Sequence, residues 1–190
     1  KEEHIHNLYR GLLVDNQDRV WAASPDLGWF YYENGQINVI EYSTSLKNIE
    51  VRAIEQSKSG AIWFATLGEG IFKYENGILK SYKVEDGLLN DWVYALSVDE
   101  KDNLWIGTSS GICSFDGIRF HERIPGISST VNRILFDRFG DIWIGTINGL
   151  YRKKSFEDEL EFINSGNGLP NNFVIDFLFD AEGNLWLTHY

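Results

Sequence analysis

The sequence predicts an all-β protein built from one repeated unit of four antiparallel strands, and three observations lead there. The first is a periodic tryptophan: Trp21, Trp63, Trp105, Trp143 and Trp186 are separated by 42, 42, 38 and 43 residues. A period of about 40 to 45 residues belongs to arrays in which each repeat supplies one four-stranded blade. The second is what precedes each tryptophan. Asp15, Asp99, Asp137 and Asp180 stand six residues before it, with Ser57 in the second copy; Gly60, Gly140 and Gly183 stand three before it, with Asp18 and Asp102 in the other two. An Asp or Ser that caps a turn, followed by a residue tolerant of positive φ, is hairpin chemistry. The third is the apolar run around the anchor, LWIGT at Leu104–Thr108 and IWIGT at Ile142–Thr146. It does not alternate, so it reads as a strand covered on both faces, as in stacked blades. The expected fold class is therefore an all-β β-propeller arc of four-stranded antiparallel blades, with about four complete repeats plus part of a fifth.

The repeats fall approximately at 6–46, 47–88, 89–127, 128–169 and an incomplete 170–190. The first opens with an innermost strand at His6–Asp15 and runs through Trp21 to a break at Ser24-Pro25-Asp26. Gly28 starts a third strand, Trp29–Tyr32; Glu33-Asn34-Gly35 is a hairpin signal, and Gln36–Tyr42 is the outer strand. The second follows the same order with Gly70, Ile71–Tyr74, Glu75-Asn76-Gly77 and Ile78–Tyr82, and the third with Gly111 and Asp116-Gly117. The fourth keeps Gly149-Leu150-Tyr151 but has a charged stretch, Arg152–Glu161, that reads as a solvated loop or extended hairpin. Lys83–Asn90, Arg123–Ser128 and Ser165–Asn171 return the chain from an outer strand to the next inner one.

Composition narrows the function classes. A hydrophobic content of 43% over 190 residues is enough for a real core, and the formal net charge of −11 argues against nucleic acid or an anionic membrane as partner. No apolar run approaches the length of a membrane span, so no membrane insertion by this portion is expected. Cys113 is the lone cysteine, which excludes an internal disulfide. There is no methionine, even at position 1, so the chain is expected to be an excerpt or a processed product.

The returns carry Gly87-Leu88 before Asn90 and Gly168-Leu169 before Asn171. The order GL-x-N, an apolar inner strand, D-x-x-G-x-[LI]-W-[IL]-G-T and a following G-[LI] resembles the two-component regulator propeller repeat. The best copies are Asn90–Phe115 and Asp137–Tyr151; the first copy departs at Asp18, Ala22-Ala23-Ser24 and Pro25. The resemblance implies the periplasmic sensor region of a hybrid two-component regulator. It further implies a small-molecule or oligosaccharide ligand, or a docked partner, with any kinase elsewhere in the parent protein. Because blade five lacks its outer strands, the arc is expected to meet further propeller blades or a second copy of the chain.

Candidate residues divide by register. The five anchor tryptophans are expected to be structural and largely buried between blades. Thr66, Thr108 and Thr146 are also read as structural, and the repeated Asp residues as backbone caps rather than metal ligands, since no EF-hand spacing accompanies them. No metal and no cofactor is expected. Trp29 and Trp92 stand outside the anchor register, with Trp29 read as core and Trp92 open to either role. Eleven residues before the anchor the series runs Arg10, Arg52, Tyr94, Asn132, Ile175, polar in four of five copies. With Trp92, Asn148, Tyr9 and Asp91 these residues would share one rim, so Arg10, Arg52, Trp92, Tyr94, Asn132 and Asn148 are the ligand-binding candidates. At the next position the series is Gly11, Ala53, Ala95, Arg133, Asp176, which predicts an Arg133–Asp176 contact between adjacent blades. The rival function is a propeller enzyme acting on glycans, or a lyase of the streptogramin-inactivating type. Catalysis would need a His or a carboxylate pair converging at the axis, and His4, His6, His121 and His189 form no such motif, so no catalytic residue is expected.

Overall fold

Each repeat folds as an antiparallel meander in the computed structural model, which describes residues 11–25, 27–41, 46–122, 124–155 and 159–189. The first blade comprises β1 (Leu12–Val14), β2 (Val20–Ser24), β3 (Gly28–Glu33) and β4 (Gln36–Val39). The second comprises β5 (Val51–Gln56), β6 (Ile62–Thr66), β7 (Ile71–Glu75) and β8 (Ile78–Tyr82). The third has β9 (Val93–Val98), β10 (Leu104–Thr108), β11 (Gly111–Phe115) and β12 (Phe120–Glu122), and the fourth β13 (Val131–Phe136), β14 (Ile142–Thr146), β15 (Leu150–Lys153) and β16 (Leu160–Ile163). Blade five is the pair β17 (Val174–Phe179) and β18 (Leu185–His189). No α-helix occurs among the described residues; the return to blade three holds one 3-10 turn at Val84–Asp86.

Two sequence expectations change in detail. The outer strand of blade one ends at Val39, short of Tyr42, because Ile40 turns inward: its N–H donates to the Trp29 carbonyl and its side chain joins the core between blades one and two. Tyr42, like the first half of the His6–Asp15 strand, lies outside the described residues. The charged stretch Arg152–Glu161 is an extended hairpin at its base, where Arg152 pairs with Glu161 and Lys153 with Leu160.

The turn before each anchor is the most regular local structure. The N–H of Asp15, Ser57, Asp99, Asp137 and Asp180 donates to the carbonyl four residues on, at 2.9–3.0 Å. The expected positive φ falls on Asp18, Gly60, Asp102, Gly140 and Gly183, at 60, 93, 66, 81 and 89°. In four copies the Asp carboxylate then takes up three N–H groups. Asp137 Oδ1 accepts from the N–H of Phe139 and Asp141 while its Oδ2 accepts from the Trp143 indole, at 2.9, 3.0 and 3.0 Å. Asp15, Asp99 and Asp180 do the same for Trp21, Trp105 and Trp186, at 2.7, 3.0 and 2.8 Å to the indole. Ser57 cannot reach so far. Its hydroxyl bonds within the turn, to Ala61 and Ser59, and the buried Trp63 Nε1 has no hydrogen-bond partner among the described residues.

The carboxylates of Asp15, Asp99 and Asp180 are held ionised. Burial opposes the charge on Asp15 and Asp99, but hydrogen bonds from the indoles, the turn N–H groups and the side chains of Arg19 and Asn103 outweigh it and keep both below the ordinary range. The Trp186 indole and the Asn184 side chain bring Asp180 down to about 2.

Fixing the register of the anchor fixes which way each blade faces. On what we call the leading face, the anchor and the third strand meet the following blade: Trp63, Ala65 and Ile71 pack on Val93, Leu96, Leu104 and Ile106 of the next trailing face. The same division builds the other three interfaces. The first four anchors also lean on an aromatic ring of the following blade. Trp21 meets Tyr74, Trp63 meets Phe115, Trp105 meets Phe136 and Trp143 meets Phe179, with centroids 5.6–5.9 Å apart. Close approach sets one further rule. A Cβ on Gly107 would lie 2.6 Å from a Val131 methyl, and one on Gly145 would lie 2.8 Å from a Val174 methyl, so strand two must carry a small residue where the next inner strand begins.

The expectation that all five anchors are largely buried holds for Trp21 and Trp63, with Trp105 and Trp143 partly buried against the core of the following blade. It fails for Trp186, which is 62% exposed because no blade covers its leading face. Leu178 beside it on β17 is exposed too, as are Leu12, Val14 and Tyr32 on blade one.

Two outcomes follow from the turn chemistry. Ser57→Asp should supply the missing acceptor for Trp63 and raise stability in urea unfolding by about 0.5–1.5 kcal/mol; a loss of stability would contradict the turn account. Carboxyls with depressed native pKa contribute stability above the ordinary Asp value and lose it as pH falls through the native one. The melting temperature should therefore hold from pH 7 to about pH 5 and fall between about pH 4 and pH 2. A melting temperature unchanged between pH 5 and pH 2 would contradict this.

Candidate functional site

The two rims of the arc differ in how the backbone makes them. One rim carries the returns into each inner strand and the turns between strands two and three. Here the inner strands bulge: pairing skips Arg52 in β5, Tyr94 in β9, Asn132 in β13 and Ile175 in β17. These are the residues of the polar series eleven before the anchor. A bulge leaves one residue outside the ladder and re-aims its side chain, which is how this series departs from its apolar neighbours.

The structure brings some of the predicted residues together. The Arg52 guanidinium lies over the Tyr94 ring, 5.4 Å from its centroid, and its Nη1 donates to Glu50 at 3.2 Å. Trp92 is 51% exposed on the same rim; a side chain at Gly68 would lie 3.8 Å from its indole, and its backbone N–H donates to Asn90 Oδ1. Other residues have structural roles. The Asn132 amide donates across the blade junction to the Val174 carbonyl at 2.8 Å, and the Asp91 carboxylate accepts from the Val84 N–H while its carbonyl accepts from Gly68 and Gly70. Asn148 is exposed, with its N–H donating to Thr146 Oγ1. Tyr9 and Arg10 lie outside the described residues. Thr66, Thr108 and Thr146 are structural as expected, buried and donating to the carbonyls of Gly70, Gly111 and Gly149. Trp29 is core, stacked on Phe64 with centroids 4.6 Å apart.

Toward the axis, Arg133 Nε stands 3.1 Å from Asp176 Oδ1, the contact expected from consecutive repeats. Sequence reasoning missed Glu55, whose carboxyl is pushed up by burial, against the pull of a backbone hydrogen bond and the Arg133 charge. His121 pairs with Asp116 at 2.6 Å on the outer hairpin of blade three. No group of three or more His, Cys, Asp or Glu positioned for a metal occurs among the described residues.

The opposite rim carries the Asp turns and the hairpins between strands three and four. There, between blades one and two, lies a cleft of about 490 Å³ lined by Asn16, Arg19, Tyr31, Gln56, Tyr74 and Asn76, among others. The sequence signal for it was present but crossed blades. The positions paired with the anchor or the residue before it are Tyr31 and Tyr74 here, but Lys73 and Phe115 at the next junction.

Residues 87–110, 125–148 and 168–190 each match the family model for the two component regulator propeller. The chain carries two-component regulator propeller repeats. The matched segments run from the return loop through the anchor, the portion in which the Asp turn and strand two are set. No curated protein matches the chain. Among solved structures, the extracellular domain assigned to a hybrid two component system of B. thetaiotaomicron superposes with a TM-score of 0.80 at 23% identity, over 93% of this chain and 25% of that one. Virginiamycin B lyase from Staphylococcus aureus gives 0.76 at 17%, over 95% and 63%. PorZ, a surface component of the type-IX secretion system of Porphyromonas gingivalis, gives 0.74 at 16%, over 94% and 30%. At these identities the likeness is one of propeller fold, and the chain spans from a quarter to less than two thirds of each protein. Among the described residues no helix is long and apolar enough to cross a membrane.

Proposed function

We propose that this chain is the ligand-sensing, extracytoplasmic propeller portion of a two-component signalling protein, and that it binds a carbohydrate or docks a partner at the rim of Arg52, Trp92 and Tyr94. The observation that carries the reading is the regulator propeller repeat at three successive blades. The extracellular setting is supported by the likeness to extracellular domains of B. thetaiotaomicron regulators.

Site chemistry supports the ligand class. An exposed indole offers an apolar face to the C–H side of a sugar ring, while the guanidinium over Tyr94 keeps donors directed at hydroxyl or carboxylate oxygens. Because the bulged residue of each inner strand sits beside the next blade, occupancy there would bear on how adjacent blades pack. That is a route by which binding reaches the rest of a parent protein, where a kinase would read it. The uncovered faces of blades one and five are, on this reading, closed by further blades or by a second copy. A lyase or glycan-active enzyme would need a His or a carboxylate pair converging at the axis. The opposite charges found there, Arg133 and Asp176, are engaged with each other instead.

In the full parent protein, calorimetry with a panel of neutral and uronate-containing oligosaccharides should reveal a binder whose affinity falls by roughly ten-fold in Arg52→Ala and in Tyr94→Ala. Unchanged affinity in both variants would remove the site from this rim.

A further inference from the structure

We infer that the cleft between blades one and two, on the Asp-turn rim, is a separate binding site for a neutral, hydroxyl-rich ligand of one or two sugar rings. It lies on the rim opposite Arg52 and Trp92, so it stands independently of the sensor site proposed above. A volume of about 490 Å³ falls within the size of small-molecule pockets.

The lining argues for the ligand's chemistry. Two of its charges are already paired, Arg19 Nε at 2.6 Å from Asp15 Oδ2 and Glu75 with Lys73 at 2.9 Å, and the Lys58 ammonium donates to the neutral Glu100 carbonyl at 2.7 Å. A charged ligand would compete with these contacts, whereas a neutral one need not. What remains is a set of amide and phenol groups. Gln56 and Asn16 form a bonded pair that spans the blade junction: the Asn16 N–H donates to Gln56 Oε1 at 2.9 Å and Gln56 Nε2 donates to Asn16 Oδ1 at 3.1 Å. Such a pair has unused donor and acceptor capacity, which suits hydroxyls that both give and accept.

Aromatic surface supplies the other half of sugar recognition. The Trp21 and Tyr31 rings lie 4.7 Å apart and Trp21 and Tyr74 5.6 Å apart, so both tyrosines flank one buried indole at the wall of the cleft. Blade stacking accounts for the Tyr74 ring against Trp21, and the Arg19 guanidinium lies over the Trp21 and Tyr31 rings, but neither contact calls for the two hydroxyls. At the next junction the matching places hold Lys73, whose ammonium sits 5.7 Å from the Trp63 centroid, and the buried Phe115. At that junction the rim is also bridged: the Lys58 and Ser59 N–H groups donate to the Asp102 carboxylate.

The test uses the 190-residue chain with ¹⁵N-labelled tryptophan and three probes, maltose, cellobiose and lactose. At least one should shift the Trp21 indole signal saturably while the Trp92 signal stays in place or moves with a different midpoint. The double variant Tyr31→Phe/Tyr74→Phe keeps the rings and should weaken that binding about five-fold or more, on the loss of two hydroxyl hydrogen bonds. Gln17→Trp, at an exposed turn position on the lip, should abolish it with the melting temperature unchanged; Trp92→Ala should leave it intact. If no probe moves Trp21, or if Trp21 responds equally in the wild-type and lip variants, the cleft is not a saccharide site. A shift confined to Trp92 and lost in Arg52→Ala would sink the cleft and support the sensor rim.

Discussion

A single carboxylate that must serve both a tight turn and an indole, six residues apart, is the constraint from which the rest of the arc follows. The turn alone would leave strand two free to slip, and a slip of one residue would carry the anchor to the other face of the sheet. Tying Trp105 to Asp99, and its counterparts likewise, removes that freedom. Every anchor therefore emerges on the leading face and meets an aromatic ring of the following blade wherever there is one. Blade two shows which part of the device is indispensable. With Ser57 the indole bond is missing, yet the backbone turn and the left-handed Gly60 persist, and Trp63 is kept in register by Phe115, Tyr82 and the Lys73 ammonium.

What could be read in the sequence was what is local. The Asp at six before and the residue of positive φ at three before the anchor lie within one turn, so their spacing along the chain is their spacing in space. The Arg133–Asp176 contact was also legible, because equivalent positions in consecutive repeats become neighbours. Features set by side-chain packing or strand pairing at a distance along the chain were not. The small residue at Gly107 and Gly145 has its reason in Val131 and Val174 of the next inner strand, and the bulge at Arg52 or Asn132 depends on pairing with strand two. The cleft needs Tyr31 from one blade and Tyr74 from another, each unremarkable in its own strand. The exposure of Trp186 shows the same limit: an anchor motif states where a side chain points, while burial depends on what stands opposite.

The two open faces carry large apolar side chains like those at the four covered junctions. Leu12, Val14 and Tyr32 occupy trailing-face positions on blade one, and Trp186, Leu178 and Asp176 occupy leading-face positions on blade five. The internal junctions show what such faces accept, which is a blade of the same kind. Glu55, Arg133 and Asp176 lie along the inner strands and the Asp turns ring one edge, while Lys73 and Arg152 of the third strands lie over the anchors Trp63 and Trp143. The two rims differ in make, one shaped by bulges and the other by turns.

The central claim is that one carboxylate holds both turn and anchor, and the indole N–H signals report on it most directly. In a pH titration of the ¹⁵N-tryptophan-labelled chain, the signals of Trp21, Trp105 and Trp186 should shift as Asp15, Asp99 and Asp180 protonate below pH 4, before the fold is lost, while Trp63 stays in place. A Trp63 signal moving with these three, or three anchors indifferent to acid, would contradict the account.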